Sequence, residues 1–122
     1  MKKTITILPE TDATTLCLSM TGMVSAEDYM NFFDTPLRQM IDKNGFYNLF
    51  VSYTNFEGWT PEAADLSFKC ISTCGPKARK AAYVNPPDAR MILMKTLQPI
   101  LNAEVRYFNA GEDAEAIAWI KS

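Results

Sequence analysis

Apolar and polar positions alternate with period two over residues 3–8 (Lys-Thr-Ile-Thr-Ile-Leu) and again over 14–21 (Thr-Thr-Leu-Cys-Leu-Ser-Met-Thr), which predicts two half-buried strands. Pro9 stops the first, Gly22 closes the second, and the residues between them make a hairpin connection longer than the tightest turns. The period then changes. Tyr29, Phe32, Phe33, Leu37, Met40 and Ile41 fall on one continuous helical face. Ser25 stands where a helix cap is needed, Glu27 and Asp28 occupy the first turn, and Gly45 is placed to end the helix. Pro36 lies inside the pattern and predicts a kink or a split near Asp34-Thr35.

Residues 47–53 read as a central strand, followed by a loop from Thr54 to Trp59. Thr60-Pro61-Glu62 opens a second helix (a cap, a first-position proline and an acid) that runs to Thr73 or Cys74, where Gly75-Pro76 stops it. Residues 79–84 form a short strand. Asn85-Pro86-Pro87-Asp88 breaks it and opens a third helix over 88–98, with Pro99 at its end. Residues 104–108 are the last strand, and 112–121 a terminal helix with Glu112 and Asp113 at its start. The order is ββαβαβαβα. It predicts an α/β fold, a mixed and mostly parallel sheet of about five strands with four helices, its first strand the antiparallel edge. Whether the helices cover one face or both is open. With no linker, repeat or low-complexity tract, the 122 residues make one domain.

Composition narrows the chemistry. At 48% apolar residues the chain builds a core without staples. Twelve basic residues against fourteen acids give a net charge of −2, which argues against nucleic acid as a partner. There is no histidine, so Ser-His-Asp and Cys-His nucleophile pairs and histidine metal sites are excluded. Glu57 and Asp65 sit on different elements with no nucleophile or metal ligand beside them in sequence; an enzyme would need a polar pocket converging on Glu57, Tyr53 or Tyr83, and no enzymatic activity is expected. Cys70 and Cys74 share a helix face, but two thiols do not close a zinc site, and they read as buried thiols; no cofactor is called for. Three cysteines and no apolar leader after Met1-Lys2-Lys3 point to a reducing compartment, the cytoplasm.

Two features exceed what a plain core needs. From Leu66 to Ala103, six basic residues (Lys69, Lys77, Arg79, Lys80, Arg90, Lys95) stand against the single acid Asp88, a net of +5; the rest of the chain carries six against thirteen, −7. If the fold gathers them, one flank is basic and would meet phosphate headgroups of an anionic membrane surface; otherwise they are a solvated surface. In the third helix Leu93, Met94, Leu97, Ile100 and Leu101 make an ordinary inward stripe, yet Met91 and Ile92 fall off it. Apolar residues outside the stripe mean either a deeply buried helix or a patch for a ligand, a partner or a bilayer. Among the seven methionines, Met30 lies off the first helix's apolar face, and such thioethers either fill core gaps or line an adaptable cavity. Trp59 follows a glycine at the carboxyl end of the central strand, where open α/β sheets bind ligands, so it reads as a pocket wall or as a loop pin.

Several segments in register resemble one family. They are Glu27-Asp28-Tyr29, Pro36-Leu37, Asn55-Phe56-Glu57-Gly58-Trp59-Thr60, Ala81-Ala82-Tyr83-Val84, Glu104-Val105-Arg106-Tyr107-Phe108 and Ala114-Glu115-Ala116-Ile117-Ala118-Trp119-Ile120. Together they resemble the SpoIIAA-like family of small bacterial proteins, a STAS-like group, over nearly the whole chain. The Phe-Glu-Gly-Trp segment and the Glu-Ala-x-x-Trp helix are the most specific parts. The resemblance implies a STAS/SpoIIAA-like sheet with helices packed on it and no established enzymatic activity. It also implies kinship of fold with two functional groups: anti-sigma-factor antagonists, which are protein-binding switches, and CRAL-TRIO carriers, which hold lipids under a mobile helix. The antagonists carry an Asp-Ser pair, its serine phosphorylated, after the third strand. Here no Asp-Ser occurs; Thr60 stands near that place, and its simplest role is to cap a helix.

The expectation is therefore a non-enzymatic, cytoplasmic STAS-like module that binds a small apolar or lipid-like ligand through Met30, Phe33, Trp59, Met91, Ile92 and Met94. Lys77, Arg79, Lys80, Arg90 and Lys95 would contact phosphate or a membrane surface, placing the protein reversibly at the inner membrane face through the third helix. The alternative is a protein-binding regulator of the antagonist type without the phosphoserine switch, its partner another protein or a second copy.

Overall fold

The two alternating runs become strands β1 (Ile5–Ile7) and β2 (Thr15–Val24), paired antiparallel with Ile5 opposite Met20 and Ile7 opposite Leu18. The structure is a computed structural model that describes residues 4–97 and 103–122. The expected strand start at Lys3, the Pro99 stop and the stripe positions Ile100 and Leu101 lie outside the described residues.

The first helical pattern forms one bent rod: α1 (Ala26–Tyr29), a π-helical turn (Met30–Asp34) and α2 (Thr35–Asn44). Ser25 Oγ accepts the Asp28 amide at 3.2 Å, as its cap position predicts. The split predicted near Asp34-Thr35 is there, as a widened turn. Pro36 has no N–H to give, and its ring excludes the carbonyl four residues back. The chain responds by running the Thr35 amide to the Met30 carbonyl, five residues back. Tyr29, Phe33 and Leu37 stay buried through this turn. Gly45 ends the rod at φ +82°, its amide on the Ile41 carbonyl at 2.7 Å.

Strand β3 (Tyr47–Trp59) runs for thirteen residues. This corrects two expectations: residues 54–59 are not a loop, and β2 does not end at Gly22. The two strands continue side by side, Gly22 opposite Phe56, Met23 opposite Gly58 and Val24 opposite Trp59. The extension is bulged. Its register slips on either side of Gly22, and Asn55 and Gly58 take φ of +49° and +130°. A bulge breaks the period-two alternation, so no strand signal shows in the sequence there.

The remaining elements are α3 (Pro61–Cys74), a 3-10 turn (Gly75–Lys77), β4 (Ala78–Val84), α4 (Asp88–Leu97), β5 (Glu104–Phe108) and α5 (Asp113–Ile120). Strand order is β1-β2-β3-β4-β5, with β2 to β5 parallel and β1 the antiparallel edge. With the bent rod counted once, the described residues form four helices on a mixed, mostly parallel sheet. Helices cover both faces. Leu16, Leu18, Leu49, Val51, Tyr53, Ala81 and Tyr83 point into a large core with the bent rod, α3 and α4. Cys17, Phe50, Ala82 and Val84 point the other way, under Ala116 and Ile120 of α5.

Candidate functional site

The site begins with the side chains that α3 turns inward. Ala63, Ser67, Cys70 and Cys74 are all buried, while Phe68 stands 55% exposed. A helix whose core stripe is small does not fill the space beneath it, and Ala78 and Ala81 of β4 leave room among the larger strand residues Leu49, Tyr53 and Tyr83. An apolar hollow results, lined by Phe33, Leu37, Tyr53, Cys70, Ala81, Tyr83, Met94 and Val105 among others. It leaves the centre of a water molecule about 30 Å³ in which to move. That is space of water size, far below the several hundred Å³ of a ligand pocket.

On the outer side of the same helix pair lies a larger, open groove of about 220 Å³, walled by Trp59, Ala64, Ser67, Phe68, Ala89 and Leu93. Arg90 lines both spaces. It enters from the first turn of α4 and is 8% exposed. Its Nη2 donates to Ser67 Oγ at 2.6 Å, and its guanidinium carbon lies 4.6 Å from the centre of the Trp59 ring. Trp59 is held in turn by edge contacts with Phe56 at 4.7 Å and Tyr53 at 6.4 Å. Among the described residues no carboxylate is within ion-pair reach of Arg90: the pairs present are Arg38–Asp34, Lys69–Asp65 and Lys121–Asp12. Arg90 Nε and Trp59 Nε1 are both buried donors without an acceptor. Burial raises the pKa of the Tyr53 and Tyr83 hydroxyls against the opposing pull of Arg90, so both are neutral phenols. The site is thus an apolar groove and hollow divided by one unpaired cation.

The expected ligand residues are divided by the fold. Phe33 and Met94 reach the hollow, and Trp59 walls the groove. Ile92 projects outward at 66% exposure, Met91 is half-buried, and Met30 is exposed on the π turn, away from both spaces. The basic residues do not gather into one flank. Lys77 lies near Arg38 and Asp42; Arg79 stacks on Phe46 at 3.6 Å. Lys80 binds the carbonyl of Ser122 at 2.9 Å on the α5 side. Lys95 lies 5.6 Å over the Tyr107 ring, and Arg90 is buried. Arg79 and Lys80 line one open hollow with Lys121 near the start of β4, and the length of β4 separates them from α4. Ser67 belongs to the site with no sequence expectation behind it; Leu93, expected in the inward stripe, walls the groove, and Tyr53 and Tyr83, expected only in a polar pocket with Glu57, line the hollow. The readable signal was the small stripe of α3, a serine among alanine and cysteines. Glu57 is exposed, apart from Tyr53 and Tyr83, and the space between those tyrosines is apolar. Among the described residues no three His, Cys, Asp or Glu converge on a metal position, and no helix is long and apolar enough to cross a membrane.

Thr60 joins β3 to α3 beside Trp59. Its Oγ1 accepts the Ala63 amide at 3.1 Å, with Pro61 at the next position. Thr60→Ala is expected to lose about 1 kcal/mol of stability, and Thr60→Ser almost none. Urea unfolding of both variants checks this. Equal loss in both would mean that the hydroxyl is not the cap.

Comparison with known proteins follows this geometry. The SpoIIAA-like family pattern matches residues 15–121. A crystal structure of an uncharacterized protein of the DUF3478 family with a SpoIIAA-like fold, from Shewanella loihica PV-4, superposes with a TM-score of 0.66 at 20% identity, covering 95% of this chain and 91% of that one. No curated protein matches the chain in sequence. The family match extends from β2 through α5, and the chain belongs to the SpoIIAA-like family.

Proposed function

We propose that this domain is a non-enzymatic binding module that takes a small apolar-tailed ligand in the groove between α3 and α4. The observation that carries it is the groove itself: an apolar channel of about 220 Å³ left open beside exposed Phe68, with Trp59 and Arg90 in its wall. A large apolar side chain held at such exposure needs an occupant to leave water. A SpoIIAA-like fold is compatible with a binding or regulatory role and selects no ligand. The hollow beneath α4 would enlarge if that helix moved, as the resemblance to lid-covered carriers implies. Membrane contact would then be the route of loading, through Ile92 and not through a basic flank.

The test uses Trp59 as reporter. Trp119→Phe removes the other tryptophan, which stacks near Phe108 on the opposite face. Titration with decanol is expected to give a saturable change in Trp59 emission, weakened by Leu93→Asp. Flotation with vesicles would show whether Ile92→Asp removes any lipid association. No saturable change with decanol or decanoate, in a folded protein, would overturn the reading. Recovery of a stoichiometric second protein at this surface would favour the regulator instead.

A further inference from the structure

Arg90 poses the question. A guanidinium taken out of water without a carboxylate is among the least favourable arrangements in a folded protein. Here it is 8% exposed, held by the Ser67 hydroxyl, the Trp59 indole face and the Tyr53 hydroxyl, none of which neutralises it. A core that needed only volume at this position would be better served by methionine or leucine. Arg90 Nε and Trp59 Nε1, on two stacked side chains, are unmet donors, and the one unmet group beside them that can accept, the Tyr29 hydroxyl near Ser67, carries no charge. What is missing is an acceptor that carries negative charge. Guanidinium takes a carboxylate or a phosphate through two parallel N–H···O bonds, most strongly where water is excluded.

We infer that Arg90 is the head-group receptor of the groove, and that the ligand is a single-chain amphiphile with an oxyanion at one end. The oxyanion accepts from Arg90 Nε and from Trp59 Nε1, the two donors of the pair that have no acceptor. The hydrocarbon lies outward along Ala64, Phe68 and Leu93, which line the same groove. Ser67 positions the guanidinium from α3, so the two helices that form the groove also orient its cation. This inference rests on the groove being a binding site and adds what binds there.

The experiment compares probes of one chain length on the Trp119→Phe protein, below the concentrations at which they self-associate: decanol, decanoate and decyl phosphate, with acetate and inorganic phosphate as heads without tails. Decanoate or decyl phosphate is expected to bind about ten- to a hundredfold more tightly than decanol, the range that one charge-assisted hydrogen-bonded contact supplies; which of the two is tighter identifies the head. Acetate and phosphate alone are expected to bind far more weakly than either. Arg90→Met should bring all three chains to the decanol affinity, while its own unfolding midpoint is unchanged or raised, because a buried charge has gone. Arg90→Lys should keep part of the preference. Equal affinity for decanol and decanoate overturns the inference and leaves the groove reading standing, with water as the partner of Arg90. Binding of none of the chains overturns both. A markedly destabilised Arg90→Met, in a wild type showing no anion preference, assigns Arg90 to the core.

Discussion

Replacing Phe50 by alanine is expected to lower the unfolding free energy by about 3–5 kcal/mol, the range for emptying a fully buried aromatic site. Phe50 is 1% exposed at the middle of β3, and it fills the small core under α5 with Cys17, Ala82, Val84, Ala116 and Ile120. Four of those five neighbours are cysteine, alanine or valine, too short to close over the void. The strands on either side cannot move inward either, since their ladder fixes Phe50 between Cys17 and Ala82. The loss is a large fraction of the 5–15 kcal/mol of a typical domain. It should appear in urea unfolding as a lower midpoint with an unchanged slope. Phe68→Ala is the control: the same truncation at a 55% exposed ring should cost within about 0.5 kcal/mol. A near-neutral Phe50→Ala would mean that α5 does not cover the sheet in solution.

The same two aromatics show what the sequence could disclose. Phe50 sits in Leu49-Phe50-Val51-Ser52-Tyr53, a run without alternation, and such a run means burial on both faces of a central strand. The parallel direction of β2 to β5 followed from the single helices between strands, and the bend of the first rod from Pro36. Helix placement on the second face did not follow, because α5 shows an apolar pattern without saying which side of the sheet receives it. The continuation of β3 to Trp59 was hidden by its own bulge: Asn55 and Gly58 read as turn residues when they serve as positive-φ residues inside a strand. At the site, off-stripe Ile92 was legible and is exposed. Arg90 was legible as a basic contact residue, but its burial was not. In sequence it is one of six basic residues among apolar neighbours, and only the fold shows that Ser67 and Trp59 draw it inward while Lys77, Arg79 and Lys80 remain at the far end of β4. Charge counted along the chain carries no information on which side of a helix holds it.

Reactivity of the three cysteines is expected to fall by at least two orders of magnitude between the unfolded and folded chain, and to recover unequally when the fold opens. Cys17, Cys70 and Cys74 are 0, 1 and 2% exposed. Burial pushes the Cys17 thiol up to about 11 and raises Cys70 as well, so at pH 8 little thiolate is available even to a reagent that arrives. In urea all three should react promptly with a disulfide reagent at the ordinary rate of a free thiol. In the native protein the rate reports opening, and opening need not be global. Cys17 is closed by the β1–β2 hairpin, where Thr11 Oγ1 takes its amide at 2.9 Å, and by the core under α5. Cys70 faces the hollow on the α3–α4 side. If α4 moves as a lid over that hollow, mass mapping of slow alkylation should find Cys70 modified well before Cys17, and bound decanoate should slow Cys70 while leaving Cys17 alone. A single shared rate, equal to that of global unfolding and indifferent to decanoate, would show the hollow to be a sealed packing defect. The groove would then have to hold its ligand without any movement of α4.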